Sequence, residues 1–511
     1  MPYHRNIMSP FRFLCVFVVL VLLSAACAGA AGPPKLVLAI VVDQFRYDYL
    51  TRFRADYHAG LKRLLTEGAA FTNARYEQYP TVTAIGHSTF LTGATPSMSG
   101  IVGNEWYERE SAKTVTSVSD DSAKLLGAAG TGSSPKRLMV STIGDELKMA
   151  GRAGKVIGIS LKDRSAILPA GHMADAAYWF DPHSGNFVSS TFYFAQLPAW
   201  VTAYNAARPA DQYRGAHWLT HTLPADETLY AAIESSPFGN DLVETFTERA
   251  IQTEKLGQGA ATDLLAVSFS ANDYVGHAMG PDSPEAREVS IDTDRALGKL
   301  FAVLESAVGM RNVLVVFTAD HGVSPVPEVN AARRMPGGRM PQGAVRQAVE
   351  SALSEKYGTG QWIATPSETV FYFNRDLIRQ KKLDAAEVER TAAEAARNVP
   401  HVFRVYTREM LLNGTVDIQV GRRVMNGFFP PRSGDLYVLL DPYWLYGSRG
   451  TTHSTTFSYD AHVPVIFMGP GIKTGWFNAN ISVNDVAPTL ATYLNIETPS
   501  GSVGRCLTEI F

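Results

Sequence analysis

Four long aliphatic runs, each closing on polar residues, organise the chain. Lys35-Leu-Val-Leu-Ala-Ile-Val-Val-Asp43 ends on an acid. Thr262-Asp-Leu-Leu-Ala-Val-Ser-Phe-Ser270 runs into Asp273, and Asn312-Val-Leu-Val-Val-Phe-Thr-Ala-Asp320 runs into His321. Lys155-Val-Ile-Gly-Ile-Ser-Leu161 is followed directly by Lys162 and Arg164. A strand buried on both faces shows this unbroken apolar pattern rather than strict alternation. Between the runs the period changes to that of an amphipathic helix, over Ser283 to Ser306 and Ala344 to Tyr357. Alternating strands and helices predict an α/β fold, a mostly parallel central sheet with helices on both faces. Ligands of such sheets bind beyond the carboxyl ends of the strands, so the polar residues closing each run mark the expected site.

Two stretches depart from the alternation. Residues 172–235 are rich in aromatics, Pro and Asn, and residues 325–435 mix helices with short strands such as Thr369-Val-Phe-Tyr-Phe373. Both read as insertions capping one catalytic domain that spans 31–511. At the other end, Arg5 and Arg12 precede an apolar run of 14 residues, Phe13 to Ala26, with small residues around Ala28, Gly29 and Ala30. A membrane-spanning helix needs roughly 20 apolar residues. The segment 1–30 therefore reads as a cleaved signal peptide, which places the protein in the periplasm or outside the cell with no membrane span in the mature chain. Cys27, after Ser24-Ala25-Ala26, leaves lipid anchoring open. Once the leader is cut after Ala30, Cys506 is the one cysteine left, so no internal disulfide is expected. The formal net charge of -3, with acids and bases interspersed, excludes a general nucleic-acid binder.

Candidate chemistry gathers at the predicted strand ends. Asp273 and His277 are four apart, so on a helical turn both side chains point the same way, and carboxylate plus imidazole is an ordinary zinc pair. Asp320 and His321 are adjacent where the chain leaves the sheet, and Asp43 arrives from another strand. With His453 in Gly450-Thr-Thr-His453, three aspartates and three histidines suffice for two three-ligand metal sites. Each residue alone says little: an Asp ending a strand is commonly a helix cap, and Asp-His-Gly can be a plain turn. The weight lies in the set.

The sequence resembles the alkaline phosphatase superfamily, specifically the bacterial phosphate-irrepressible monoesterases with a threonine nucleophile. The likeness rests on Thr83-Ala-Ile-Gly-His87, Gly103-Asn104-Glu-Trp106, Lys162-Asp-Arg164, Asp273-Tyr-Val-Gly-His277, Ala319-Asp-His-Gly322, Thr452-His453 and Asp485-Val-Ala-Pro-Thr-Leu490. The resemblance implies two zinc ions per chain, one on Asp273, His277 and His453, the other on Asp43, Asp320 and His321. Thr83 would coordinate the second as the nucleophile, and Asn104, Lys162 and Arg164 would hold the phosphoryl oxygens. It selects Thr83 over Thr81 and His453 over His462, although Ser454 stands where related enzymes usually have Gly. Residues Ala84 to Leu91 look like a helix start, whose free N–H groups favour an anion beside Thr83. The formal charges of two zinc ions, three aspartates and the Lys162–Arg164 pair balance a monoester dianion plus a threonine alkoxide.

The expectation is thus hydrolysis of small-molecule phosphate monoesters through a phosphothreonine, releasing phosphate. A phosphodiesterase or nucleotide pyrophosphatase of the same superfamily is the nearest alternative, and a non-catalytic phosphate-binding protein a more distant one. No Cys-x-Pro-x-Arg motif of an arylsulfatase is present. His87 reads as a structural residue of the nucleophile helix, and His172 and Asp175 as cap packing.

Overall fold

The computed structural model describes residues 32–365 and 367–511, so the leader reading at 1–30, with Cys15 and Cys27, lies outside the described residues. Eleven strands form the central sheet: β1 (Leu36–Val42), β2 (Ala69–Arg75), β3 (Ser119–Leu126), β4 (Thr131–Ser133), β5 (Ala153–Ser160), β6 (Ala176–Asp181), β7 (Asn186–Ser190), β8 (Thr262–Phe269), β9 (Val313–Thr318), β10 (His462–Met468) and β11 (Gly475–Ser482). They lie side by side in the order β11-β2-β10-β9-β1-β8-β5-β6-β7-β3-β4. The middle five, β9-β1-β8-β5-β6, are mutually parallel. The antiparallel pairings lie on the two flanks. Every residue of β1, β8 and β9 is buried, as their unbroken apolar runs require.

Five helices bear on the site: α1 (Thr83–Thr92), α2 (Asp163–Ala170), α3 (Pro237–Glu254), α4 (Ala271–Met279) and α5 (Pro284–Ala307). The longest, α5, starts as its sequence dictates. The Ser283 hydroxyl accepts the Ala286 N–H at 3.0 Å, and Pro284 occupies the first turn, where a missing N–H costs nothing. α3 packs against α5, and α1 against α2. All ten residues of α1 are buried, which explains its lack of an amphipathic stripe.

The boundaries of the two insertions differ from the sequence expectation. The stretch 172–235 is not wholly outside the sheet, because β6 and β7 belong to it. Their aromatic side chains hid them: Tyr178 and Phe180 are buried, and Phe187 stacks on Phe246 of α3 with ring centroids 4.0 Å apart. The second stretch builds its own three-stranded sheet from Val370–Phe371, Leu436–Leu440 and Val402–Thr407, with Leu436–Leu440 in the middle. That middle strand lies just beyond residue 435. A separate core including Val349, Leu353, Trp362, Phe371, Val388 and Val438 holds this cap together. Among the described residues no helix is long and apolar enough to cross a membrane, and Cys506 is a free thiol.

Candidate active site

Parallel strands deliver their carboxyl ends to one edge of the sheet, and the chemistry collects there. Asp43 directly follows β1. Asp320 and His321 lie just past the end of β9, and Lys162 just past β5. The chain leaving β8 turns into α4, which carries Asp273 and His277 one turn apart, with His277 Nε2 3.2 Å from Asp273 Oδ1. His453 enters from the loop ahead of β10. Close seating of α1 on this edge depends on Gly86: a Cβ there would lie 2.3 Å from the Asp320 carbonyl oxygen.

The three imidazoles share one device. Nδ1 of His277 donates to the carbonyl of Thr451 at 2.8 Å, that of His321 to Gly322 at 2.9 Å, and that of His453 to Thr81 at 2.7 Å. A carbonyl only accepts, so the proton sits on Nδ1 and the Nε2 lone pair is presented to the site. His321 and His453 stack with centroids 3.6 Å apart. Burial pushes His321 down to about 3, and burial with the neighbouring His321 and His277 holds His453 well below the usual histidine range, so both are neutral at pH 7. His277 is opposite in sign: burial lowers it, but the Asp273 carboxylate outweighs that and raises it.

Asp43, Asp273 and Asp320 are all buried. Lys162 Nζ lies 2.6 Å from both Asp43 Oδ2 and Asp273 Oδ2. Burial and the adjacent Asp43 charge push the Asp320 carboxyl well above the carboxylate range, whereas Lys162 and His277 hold Asp273 well below it against its own burial. Asp43 Oδ1, Asp320 Oδ2 and His321 Nε2 have no hydrogen-bond partner. His321 Nε2 is 3.5 Å from Asp43 Oδ1 and 3.4 Å from Asp320 Oδ2, so the orphaned atoms face one another. Three buried carboxylates against one lysine, with imidazole lone pairs aimed between them, fit divalent cations of the zinc type. Donor atoms of Asp273, His277 and His453 lie within 4.8 Å of one another, as do those of Asp43, Asp273 and His321. Asp273 therefore faces both groups, and Asp320 adjoins the second through Oδ2.

Thr83 opens α1 and is buried, behind an extended Val82. The next amide, Ala84 N–H, donates to Asn104 Oδ1 at 2.8 Å, which ties Asn104 to the helix start and leaves its Nδ2 hydrogens free to donate. Arg164 stands in the first turn of α2, and its buried Nε has no partner. Asn104 also lines a cleft of about 420 Å³ whose walls include Val82, Tyr107, Val370, Tyr372 and Ser454. The cap thus closes one side of the space next to α1.

The competing candidate His462 lies elsewhere: Nε2 pairs with the Thr72 carbonyl at 2.9 Å and the ring stacks on Tyr47. His87 joins α1 to β8 through the Thr83 carbonyl at 2.9 Å and Ser268 Oγ at 2.8 Å. Its pKa is pushed down to about 4 by burial. His172 packs against Asp145 and the Leu138 carbonyl, and Asp175 accepts the Val156 N–H of β5 at 2.7 Å, so both hold the core beside β5 where cap packing was expected. Ser454 adopts φ 93°, a left-handed conformation that glycine takes without cost, so the glycine that the resemblance leads one to expect here would be the unstrained residue. Sequence reasoning missed Gln44. Its one visible signal is adjacency to Asp43, yet it touches two of the site's carboxylates.

Residues 37–462 match the type I phosphodiesterase / nucleotide pyrophosphatase family. The chain is 36% identical over 513 residues to the alkaline phosphatase PhoV of Synechococcus elongatus, covering 93% of each. It is 35% identical over 543 residues to the alkaline phosphatase PafA of Elizabethkingia meningoseptica, covering 98% of this chain and 99% of that one. The crystal structure of wild-type PafA aligns with a TM-score of 0.88 at 34% identity, over 94% of this chain and 100% of that chain. The chain therefore belongs to the type I phosphodiesterase / nucleotide pyrophosphatase family, and within it groups with the alkaline phosphatases.

Proposed function

We propose that this protein hydrolyses phosphate monoesters in two steps through a phosphothreonine on Thr83, with two zinc ions held by Asp273, His277 and His453 and by Asp43, Asp320 and His321. The observation that carries the reading is the set of three imidazoles, each fixed through Nδ1 on a backbone carbonyl, with Nε2 directed at buried carboxylates, those facing His321 being without hydrogen-bond partners. Zinc bound there supplies Lewis-acid chemistry, lowering the cost of a threonine alkoxide and of charge on the leaving oxygen.

The chain's own residues do the rest. Thr83 Oγ1 attacks phosphorus at the start of α1, where the helix dipole favours the incoming anion; the ester oxygen leaves as the alcohol, and water then cleaves the phosphothreonine to phosphate and free Thr83. Asn104 Nδ2, Lys162 Nζ and Arg164 donate to the phosphoryl oxygens, and their charge suits a dianionic monoester better than a singly charged diester. The organic part of the ester lies in the cleft between Asn104 and the cap residues Val370 and Tyr372. His87 holds the helix start through the Thr83 carbonyl and stays neutral. Residues 1–30 act as an export signal, so the enzyme works on esters outside the cytoplasm.

The test is hydrolysis of p-nitrophenyl phosphate beside bis-p-nitrophenyl phosphate, for the wild type and Thr83→Ala. Monoester turnover that a zinc chelator and Thr83→Ala both abolish supports the reading. A diester preference would move the protein to the phosphodiesterase members of its family and remove the roles given to Lys162 and Arg164.

A further inference from the structure

Gln44 is 1% exposed and holds a left-handed backbone, φ 59°, that residues other than glycine rarely adopt. The turn at Gln44 follows Asp43 at once and aims the residue in two directions. Its backbone N–H donates to Asp320 Oδ1 at 3.0 Å. Its side-chain Nε2 donates to Asp273 Oδ1 at 2.6 Å, across 229 positions of sequence. A carboxylate can only accept, so the amide nitrogen must face Asp273, and this leaves the buried Oε1 without a partner. Oε1 fits only because residue 276 is glycine: a Cβ there would lie 1.9 Å from it. A helix that omits a side chain, a strained turn and an unpaired amide oxygen all converge on one contact.

We infer that Gln44 is the positioning residue that registers the two metal groups against each other, through its side chain on Asp273 and its backbone on Asp320. This inference rests on the metal reading above. Asp273 carries the one oxygen that His277 Nε2 and Gln44 Nε2 both approach, so the amide on Oδ1, with Lys162 on Oδ2, fixes the rotation of the carboxylate about its own axis. Asp320 needs only the backbone N–H, which any residue at 44 would supply in the same turn. On the ligand sets proposed above, Asp273 is a ligand only beside His277 and His453, so loss of the side chain acts chiefly on that metal group even though Asp273 also faces the other. Outer-shell partners of this kind are worth about 10–100-fold in metal affinity.

The experiment titrates cobalt(II) into the metal-stripped full-length protein and follows the visible absorption of the bound ion, for the wild type, Gln44→Asn and Gln44→Gly. Both replacements tolerate the left-handed backbone, and neither carries an amide that reaches Asp273. Unfolding of the metal-stripped proteins checks that the fold is kept. The expected result is two cobalt ions bound by each protein, with one dissociation constant raised about 10–100-fold in both variants and the other changed less than about threefold. Equal weakening of both ions, or weakening of neither, overturns the inference while leaving the metal reading standing. A wild type that binds no cobalt overturns both.

Discussion

Gly86→Ala is the most searching single test of how this site is built. The added Cβ would lie 2.3 Å from the Asp320 carbonyl oxygen, 2.5 Å from its Cβ and 2.6 Å from its Cα. Carbon–oxygen contacts settle near 3.4 Å, so helix and strand end must separate by about 1 Å. Neither partner is a flexible side chain. One is the backbone of a buried helix carrying Thr83 and His87, the other the strand end carrying Asp320 and His321. A shift of that size between nucleophile and ligand costs on the order of 100-fold in rate, equivalent to about 2.7 kcal/mol of transition-state stabilisation. Overpacking itself costs about 1–3 kcal/mol of folding stability, which a domain of this size tolerates. The assay is kcat/KM on p-nitrophenyl phosphate, with urea unfolding and circular dichroism to show that the variant is folded under assay conditions. A folded variant within about threefold of the wild-type kcat/KM refutes the claim that α1 is seated on Asp320 and that this seating sets the reacting distance.

Three further outcomes are expected. Arg164→Ala should lower kcat/KM on the monoester by about 100-fold while the diester rate changes less than about tenfold, because a second charge is what the guanidinium answers; equal losses on both substrates contradict the assignment. Ser454→Gly should stabilise the fold by about 1 kcal/mol, since relief of a left-handed serine outweighs the extra freedom of glycine in the unfolded chain; a urea midpoint that falls rather than rises would count against it. Next to Asp145, whose hydrogen bond raises it most, His172 has a folded pKa above its unfolded value, so its stabilisation is present in full below about pH 6.5 and is lost as pH rises through the folded value. The stability gap between wild type and His172→Gln should therefore be wider at about pH 5.5 than at about pH 9, and a gap that widens with pH reverses the sign of this coupling.

Much of the architecture could be read from residue order because the decisive signals are local. An unbroken aliphatic run ending in an acid marks a doubly covered strand and the edge where it stops, and β1, β8 and β9 follow their runs to within a residue or two. The helix Ala344–Tyr357 keeps the limits its periodicity gave. What escaped is non-local or conformational. The flanking strands β2, β10 and β11 pair across the ends of the chain, and β6 and β7 are masked by aromatics that pack against α3. Gly86 looks like any helical glycine until β9 is placed beside it. Gln44 acquires its role from a positive φ and from Asp273, neither of which a linear pattern reveals. The carbonyls that orient His277 and His453 lie 174 and 372 positions away.

Those three carbonyl contacts also bear on how the site can change over generations. The oxygens at positions 81, 322 and 451 belong to the main chain, so exchanging the side chain of Thr81 or Thr451 leaves the acceptor in place, whereas Gly322 is held to glycine by the Tyr459 carbonyl, 2.2 Å from where a Cβ would sit. Had carboxylates or amides oriented the rings, each would be one substitution from loss. Here the bearing of each imidazole is inherited with the path of the loop, and drift at positions 81 and 451 is filtered only by what the loop itself can bear. Insertions or deletions that alter loop length are the changes that threaten the orientation. Variation in the length of the segment between the cap and His453 should therefore be far rarer than variation in its composition.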